Sequence, residues 1–129
     1  MIFTIVIHAA PACQSSRTAY HFCRAALAAG HHVYRLFFYD DGVLNASQLT
    51  VVPQDEANIA DDWAALIRDH QIDAVACVSS SLQRGVLDGG EANRYDKAAV
   101  TMAPGFEISG LGQWVDATIH SDRVISFGG

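Results

Sequence analysis

The sequence predicts an α/β protein: a single three-layer α/β/α domain around a mainly parallel sheet of roughly five strands. Three observations carry that prediction. Short apolar runs rich in Ile and Val fit strands covered on both faces. Segments of helical period separate those runs, and strands alternating with helices imply right-handed crossovers. Half of the 129 residues are hydrophobic and 17% are charged, enough apolar material for one real core.

Ile2 to Ile7 reads as a central strand. The loop His8 to Ser16 follows, and Ser15 or Ser16 can cap the next helix. There Ala19, Phe22, Cys23, Ala26 and Leu27 recur at helical spacing, and Gly30 suits the stop. His32 to Phe38 reads as a second strand, ended by the solvated turn Tyr39-Asp-Asp-Gly42. Val43 to Pro53 reads as an irregular connection. Asp55 can cap a helix whose stripe is Ile59, Trp63, Leu66 and Ile67, with Trp63 in the core. Ala74 to Val78 is a third, fully buried strand, and a helix starts near Ser80 or Ser81. Asp88-Gly-Gly90 ends or interrupts it, and Glu91 to Lys97 can form a second short helical piece. Thr101 to Gly112 reads as a glycine-containing loop. Leu111 to Ile119 forms a last helix with Leu111, Trp114, Val115 and Thr118 on one side, and Arg123 to Phe127 is a closing strand.

Cys77 stands where reactive groups of open α/β sheets gather, at the carboxyl end of a strand. Helix amides beyond it, and the charge of Arg84, would favour the thiolate, which is the nucleophilic form. On local sequence alone a core cysteine is the commoner reading, since free cysteine is among the most buried residue types. Cys23 falls on an apolar helix face and reads as core. Cys13 lies in a loop with no base near it in sequence. His8 ends the first strand, where topology could bring it towards Cys77.

The chain carries a formal charge of −6, so it lacks the basic footprint of a nucleic-acid binder. No segment has the roughly 18 apolar residues of a membrane span, and the N-terminus reads as a strand rather than a signal peptide. Three cysteines, an odd number, favour reduced thiols in a cytoplasmic compartment. Neither the His31-His32 pair nor Asp40-Asp41 has metal-site spacing. The loop after the first strand lacks glycine and carries Pro11, which makes it a poor phosphate cradle and counts against a flavodoxin-like nucleotide binder.

One ordered combination spans most of the chain. Phe37-Phe-Tyr-x-x-Gly-Val-x-Asn-Ala-x-Gln-Leu49 is followed by Cys77-Val-x-x-x-Leu-x-Arg-Gly-Val86 and by Ser109-Gly-Leu-Gly112. With Ala25–His31 and Asp122–Phe127, these residues resemble the DsrE-type sulfur-relay family, most closely its TusD-type subunits. The resemblance implies a DsrEFH-like fold over residues 1–129 and a cytoplasmic sulfurtransferase that needs no cofactor and no metal. It implies that the cysteine at Cys77 carries sulfane sulfur as a persulfide. It also implies TusC-like and TusB-like subunits in a heterohexamer, a TusA-like sulfur donor and a TusE-like acceptor. The sulfur would end in 2-thiouridine at the tRNA wobble position. Two alternatives share the resemblance: DsrE-type transfer in dissimilatory sulfur oxidation, and a non-catalytic assembly subunit. Overall closeness of sequence favours the tRNA branch.

If protein partners pass the sulfur along, this acidic chain need not touch tRNA. A gel-shift titration of the isolated chain at physiological salt should give no complex; a micromolar, salt-sensitive one would contradict this reading.

Overall fold

The computed structural model describes residues 1–128. In chain order it contains β1 (Ile2–Ile7), α1 (Gln14–Ala28), β2 (His32–Phe38), a 3₁₀ segment (Asp40–Ala46), α2 (Ile59–His70), β3 (Ala74–Cys77), α3 (Val78–Gln83), α4 (Gly89–Arg94), β4 (Phe106–Ser109), α5 (Gly112–His120) and β5 (Arg123–Phe127). The five strands form one parallel sheet in the order β4-β3-β2-β1-β5. The first three connections step across the sheet in one direction. The last returns from β4 to the far side of β1, and a right-handed crossover run in reverse places its helix on the opposite face. Accordingly α1 and α2 cover the face of Ile5, Ile7, Leu36 and Phe38. Trp114 of α5 packs on the face of Val6, Phe37, Val75 and Cys77.

The fifth strand corrects the expectation of a loop over Thr101–Gly112. Phe106-Glu-Ile-Ser109 pairs with β3 in register, Cys77 lying opposite Ser109. It is a short edge strand whose Phe106 and Ile108 pack on the α1/α2 core while Glu107 faces water. Only its alternation marks it, and the glycines on either side hide that signal. Helix starts also differ. Helix α1 begins at Gln14 behind Cys13, with no side-chain cap, and Ser16 is buried inside it. Asn58, not Asp55, caps α2, its side chain accepting from the Ala60 amide at 3.0 Å. Helix α4 ends at Arg94, short of Lys97.

The stretch Val43–Pro53 is not irregular where it matters. Its first residues complete the 3₁₀ segment, in which Val43, Asn45 and Ala46 are fully buried. Asn45 Nδ2 donates to the carbonyls of Ala9 and Gly42, both at 2.9 Å. Its Oδ1 accepts from Ser16 Oγ at 2.7 Å, and Ser16 Oγ accepts in turn from Trp63 Nε1 at 3.3 Å. One buried amide therefore joins the β1–α1 loop, α1, α2 and the 3₁₀ segment, with every polar atom of the side chain paired. Gly42 lets the segment lie against β1: a Cβ there would stand 1.9 Å from the Ile7 carbonyl oxygen.

On the other face Arg35, nearly buried in β2, ties α5 to the sheet. It pairs with Asp73 at 2.7 Å and Asp116 at 3.0 Å, and donates to the Gln113 carbonyl at 2.8 Å. Tyr34 Oη also donates to Asp116, at 2.9 Å. This inward side of α5 buries Ala117 and half-buries Trp114. Leu111, just before the helix, and Val115 and Ile119 within it face water, so Leu111 and Val115 do not share the buried side with Trp114 as the periodicity suggested.

Two outcomes follow. Gly42→Ala should lower stability by about 3 kcal/mol or more, read as a shift in urea midpoint, because the obstacle is backbone and cannot swing aside. The Tyr34 hydroxyl and the Arg35 guanidinium hold the Asp116 carboxyl below its usual value of 3.8. A carboxyl depressed in the fold contributes stability above that value and loses it as pH falls through the lower, folded one. Stability of the parent should therefore drop more steeply below 3.8 than that of Asp116→Asn, which acid titration of the unfolding midpoint would show.

Candidate functional site

Three carboxyl strand ends meet at the site. Cys77 closes β3 (φ −58°, ψ 128°), and α3 starts at the very next residue. The strand is thus one residue shorter than expected, and Ser79, Ser80 and Ser81 lie inside the helix rather than in a turn before it. Alternation along β3 turns Ala74 and Ala76 towards α1 and α2 and turns Val75 and Cys77 towards α5. Cys77 is only 3% exposed. It borders a cavity of about 500 Å³ whose walls include Tyr39, Asp40, Ser80, Arg84 and Leu111. These come from the end of β2, from α3 and its C-cap, and from the loop after β4, which is where an open α/β sheet collects ligands.

Arg84 does not offer its charge freely to the thiol. Its Nη2 pairs with Asp40 at 2.5 Å, its Nε with Asp41 at 2.9 Å, and its Nη1 donates to the Ser80 carbonyl at 3.3 Å. The acidic pair is exposed to water, as the reading of a solvated turn expects, but it forms the first part of the 3₁₀ segment and is tied by Arg84 to the C-cap of α3. Asp40 takes a left-handed φ of 54°, and its amide donates to Ser80 Oγ at 3.0 Å. Two carboxylates against one guanidinium leave this rim net negative. That geometry argues against activation of Cys77 by Arg84.

His8 lies at the carboxyl end of β1, two strands from β3. Its ring meets the edges of Tyr39 and Trp114, at centroid distances of 5.6 and 6.0 Å. Those two rings pack on the cluster that contains Cys77, so His8 stands behind them. Cys13 is half-buried at the N-cap of α1. Cys23 is sealed in the core, and burial pushes its thiol up to about 12.

Sequence reasoning singled out Cys77, Arg84 and His8 but did not join Tyr39, Asp40, Asp41, Leu111 or Trp114 to them. For the β2 residues a signal existed. Tyr39 follows β2 as Val78 follows β3, and once β2 and β3 are neighbours their ends must converge. For Leu111 and Trp114 no local signal existed, because their place depends on α5 crossing to the second face.

The DsrE/DsrF-like family model matches residues 1–127. A DsrE protein of Allochromatium vinosum is 48% identical over 115 residues, covering 89% of this chain and 88% of its own. The sulfurtransferase TusD homolog of Pseudomonas aeruginosa is 42% identical over all 129 residues and 98% of its own length. The sulfurtransferase TusD of Yersinia pestis is 40% identical over 114 residues, covering 88% of this chain and 87% of its own. In fold, the chain superposes on the crystal structure of the YchN protein from E. coli with a TM-score of 0.76 at 18% identity, over 98% of this chain and 97% of the other. The chain belongs to the DsrE/DsrF-like family. Relatives this similar over nearly its whole length place it among the sulfurtransferases of that family.

A thiol raised to about 12 stays protonated, and so inert, at neutral pH. Brief iodoacetamide treatment of the native protein should leave Cys23 unlabelled, and labelling after unfolding should modify it; peptide mapping distinguishes the two.

Proposed function

We propose that this chain is the persulfide-carrying subunit of a sulfur relay that leads to 2-thiouridine at the tRNA wobble position, with Cys77 as the sulfur carrier. The observation that carries the reading is the position of Cys77: at the carboxyl end of β3, against a cavity bordered by Ser80, Arg84 and Leu111. Kinship with TusD-named sulfurtransferases supports the pathway.

The step needs no electron donor. The Cys77 thiolate attacks the outer sulfur of a donor persulfide, a Sγ–S bond forms, and the donor S–S bond breaks as its thiolate leaves. In the second half the acceptor thiolate attacks that same outer sulfur and Cys77 leaves. A thiol only 3% exposed is reached from the cavity side, so each partner must bring its own sulfur into that space.

The partners of this reading are a TusA-like donor, a TusE-like acceptor, and TusB-like and TusC-like subunits in a cytoplasmic hetero-oligomer. An exposed apolar ridge on and just before α5, formed by Leu111, Val115 and Ile119, supports assembly, since lone domains seldom leave such a row to water. Among the described residues no helix is long and apolar enough to cross a membrane.

One observation favours a second reading, sulfur transfer in dissimilatory sulfur oxidation. Identity with the Allochromatium DsrE, 48%, exceeds that with the two TusD proteins, 42% and 40%, so closeness of sequence does not favour the tRNA branch as expected.

The deciding experiment is intact-protein mass spectrometry after incubation with a cysteine desulfurase, cysteine and a TusA-like carrier, with TusB-like and TusC-like subunits present. A 32 Da adduct (about the mass of one sulfur) mapping to Cys77 and absent from Cys77→Ser is the expected result. No adduct would leave only the assembly-subunit role, and one that survives Cys77→Ser would move the carrier to another cysteine and overturn the assignment of Cys77. Thiolated tRNA formed in the reconstituted system separates the two pathways.

A further inference from the structure

The sulfur carried at Cys77 would be exposed to discharge by every small thiol in its surroundings, unless something keeps them out. A small thiol can attack the outer sulfur, forming its own persulfide as the Cys77 thiolate leaves. It can also attack Sγ, forming a mixed disulfide as hydrosulfide leaves. Either attack runs along the S–S axis and requires access to it.

The surroundings of Cys77 are unequal in this respect. On the α5 side the strand face that holds it is roofed by rings. Trp114 lies 5.5 Å from Phe37, 5.8 Å from Tyr39 and 6.0 Å from His8, centroid to centroid, so the four form a continuous aromatic row. Tyr39 belongs both to that row and to the cavity wall beside Cys77. The row is held firmly: Arg35 grips α5 at Gln113 and Asp116, on either side of Trp114. The other walls mix polar groups, from Asp40, Ser79, Ser80, Gln83 and Arg84 on one side, with the apolar side chains of Val78 and Leu111. Their rim carries Asp40 and Asp41 against the one cation, Arg84, which opposes an anionic thiol such as glutathione.

We propose that Trp114 and Tyr39 are positioning residues that form an apolar wall over sulfur-loaded Cys77 and make its persulfide resistant to small thiols, so that the polar side of the cavity is left as the approach for a protein thiol. The proposal rests on the relay role of Cys77. It makes selectivity between protein and small-molecule acceptors a property of this chain's own packing. A ring wall suits the task because it excludes water and solutes over a large rigid area without offering a hydrogen-bonding group to the sulfur.

The test loads the complex with sulfur, removes the donor, adds glutathione, and follows the Cys77 adduct by intact mass and peptide mapping. Transfer to a TusE-like acceptor is timed in parallel. Trp114→Ala and Tyr39→Ala should lose the adduct to glutathione about tenfold faster than the parent, as access to the S–S axis opens. Trp114→Phe, which keeps a ring, should stay within about twofold of the parent. The ratio of glutathione discharge to protein transfer should rise in the alanine variants, a change that general loosening would not produce. Val124→Ala trims the same cluster from β5 while leaving every ring in place, and should leave that ratio unchanged. Should Trp114→Ala fail to fold, Trp114→Leu gives the same reading, with an expected acceleration of about threefold. Discharge at the parental rate in the alanine variants would overturn the proposal. So would an equal rise in both rates, or a Val124→Ala ratio as high as that of Trp114→Ala. An adduct that does not map to Cys77 in the parent would overturn the relay reading itself; a durable Cys77 adduct in every variant would sink the wall alone.

Discussion

The side-chain amide of Asn45 has no water to turn to. It is fully buried, and its donors and acceptor are spent on Ala9, Gly42 and Ser16. Because Ser16 also accepts from Trp63, this one amide couples two helices to the loop at the carboxyl end of β1. It closes the 3₁₀ segment onto β1, where Gly42 leaves the Ile7 carbonyl room. Removing one partner from so closed a network leaves the others unpaired in a low-dielectric interior, which costs more than the lost bond. The front of the site depends on this seat, because Asp40 and Asp41 start the same segment and Tyr39 immediately precedes it.

From that seat two latches reach the cysteine. Arg84, the C-cap of α3, spans Asp40 and Asp41, and Ser80 receives the Asp40 amide. As surface ion pairs they add little stability. Their effect is geometric: they fix the distance between the end of β2 and the helix that Cys77 begins, and so the width of the cavity. On the other face Arg35 does for α5 what Arg84 does for α3, and a nearly buried guanidinium with a carboxylate on each side holds Trp114 against the sheet. The cysteine lies between these two braced walls. A rigid enclosure suits a group that must wait, loaded, for one protein partner and ignore other thiols.

How much of this the sequence showed can be traced residue by residue. The alternation of buried strands and amphipathic helices was legible because each depends on a short window of side chains. Cys77 at a strand end, Cys23 and Trp63 in the core, and the loop position of Cys13 were legible for the same reason. The strand β4 was missed because an edge strand of four residues shows only two inward positions, Phe106 and Ile108, between glycines. The inward side of α5 was misjudged because Leu111, Val115 and Ile119 are apolar yet exposed. Periodicity assumes that the apolar side is the buried one, and a helix with an apolar ridge on its outer side defeats it.

By itself, the sequence determined the layers, the parallel sheet, the acidic charge and the single cysteine at a strand end, because local pattern and composition set those. The family followed from an ordered set of residues spread along the chain. Tertiary structure alone decided that β4 returns past the sheet to β5, that α5 therefore covers the second face, and that Trp114 meets Tyr39 on the sheet face that holds Cys77. It alone decided that Arg84 serves Asp40 and Asp41 rather than the thiol. Each of these unites residues some tens of positions apart, and no local preference records which distant partner a side chain will meet. That choice is made when the strands take their order, and the site is a consequence of it.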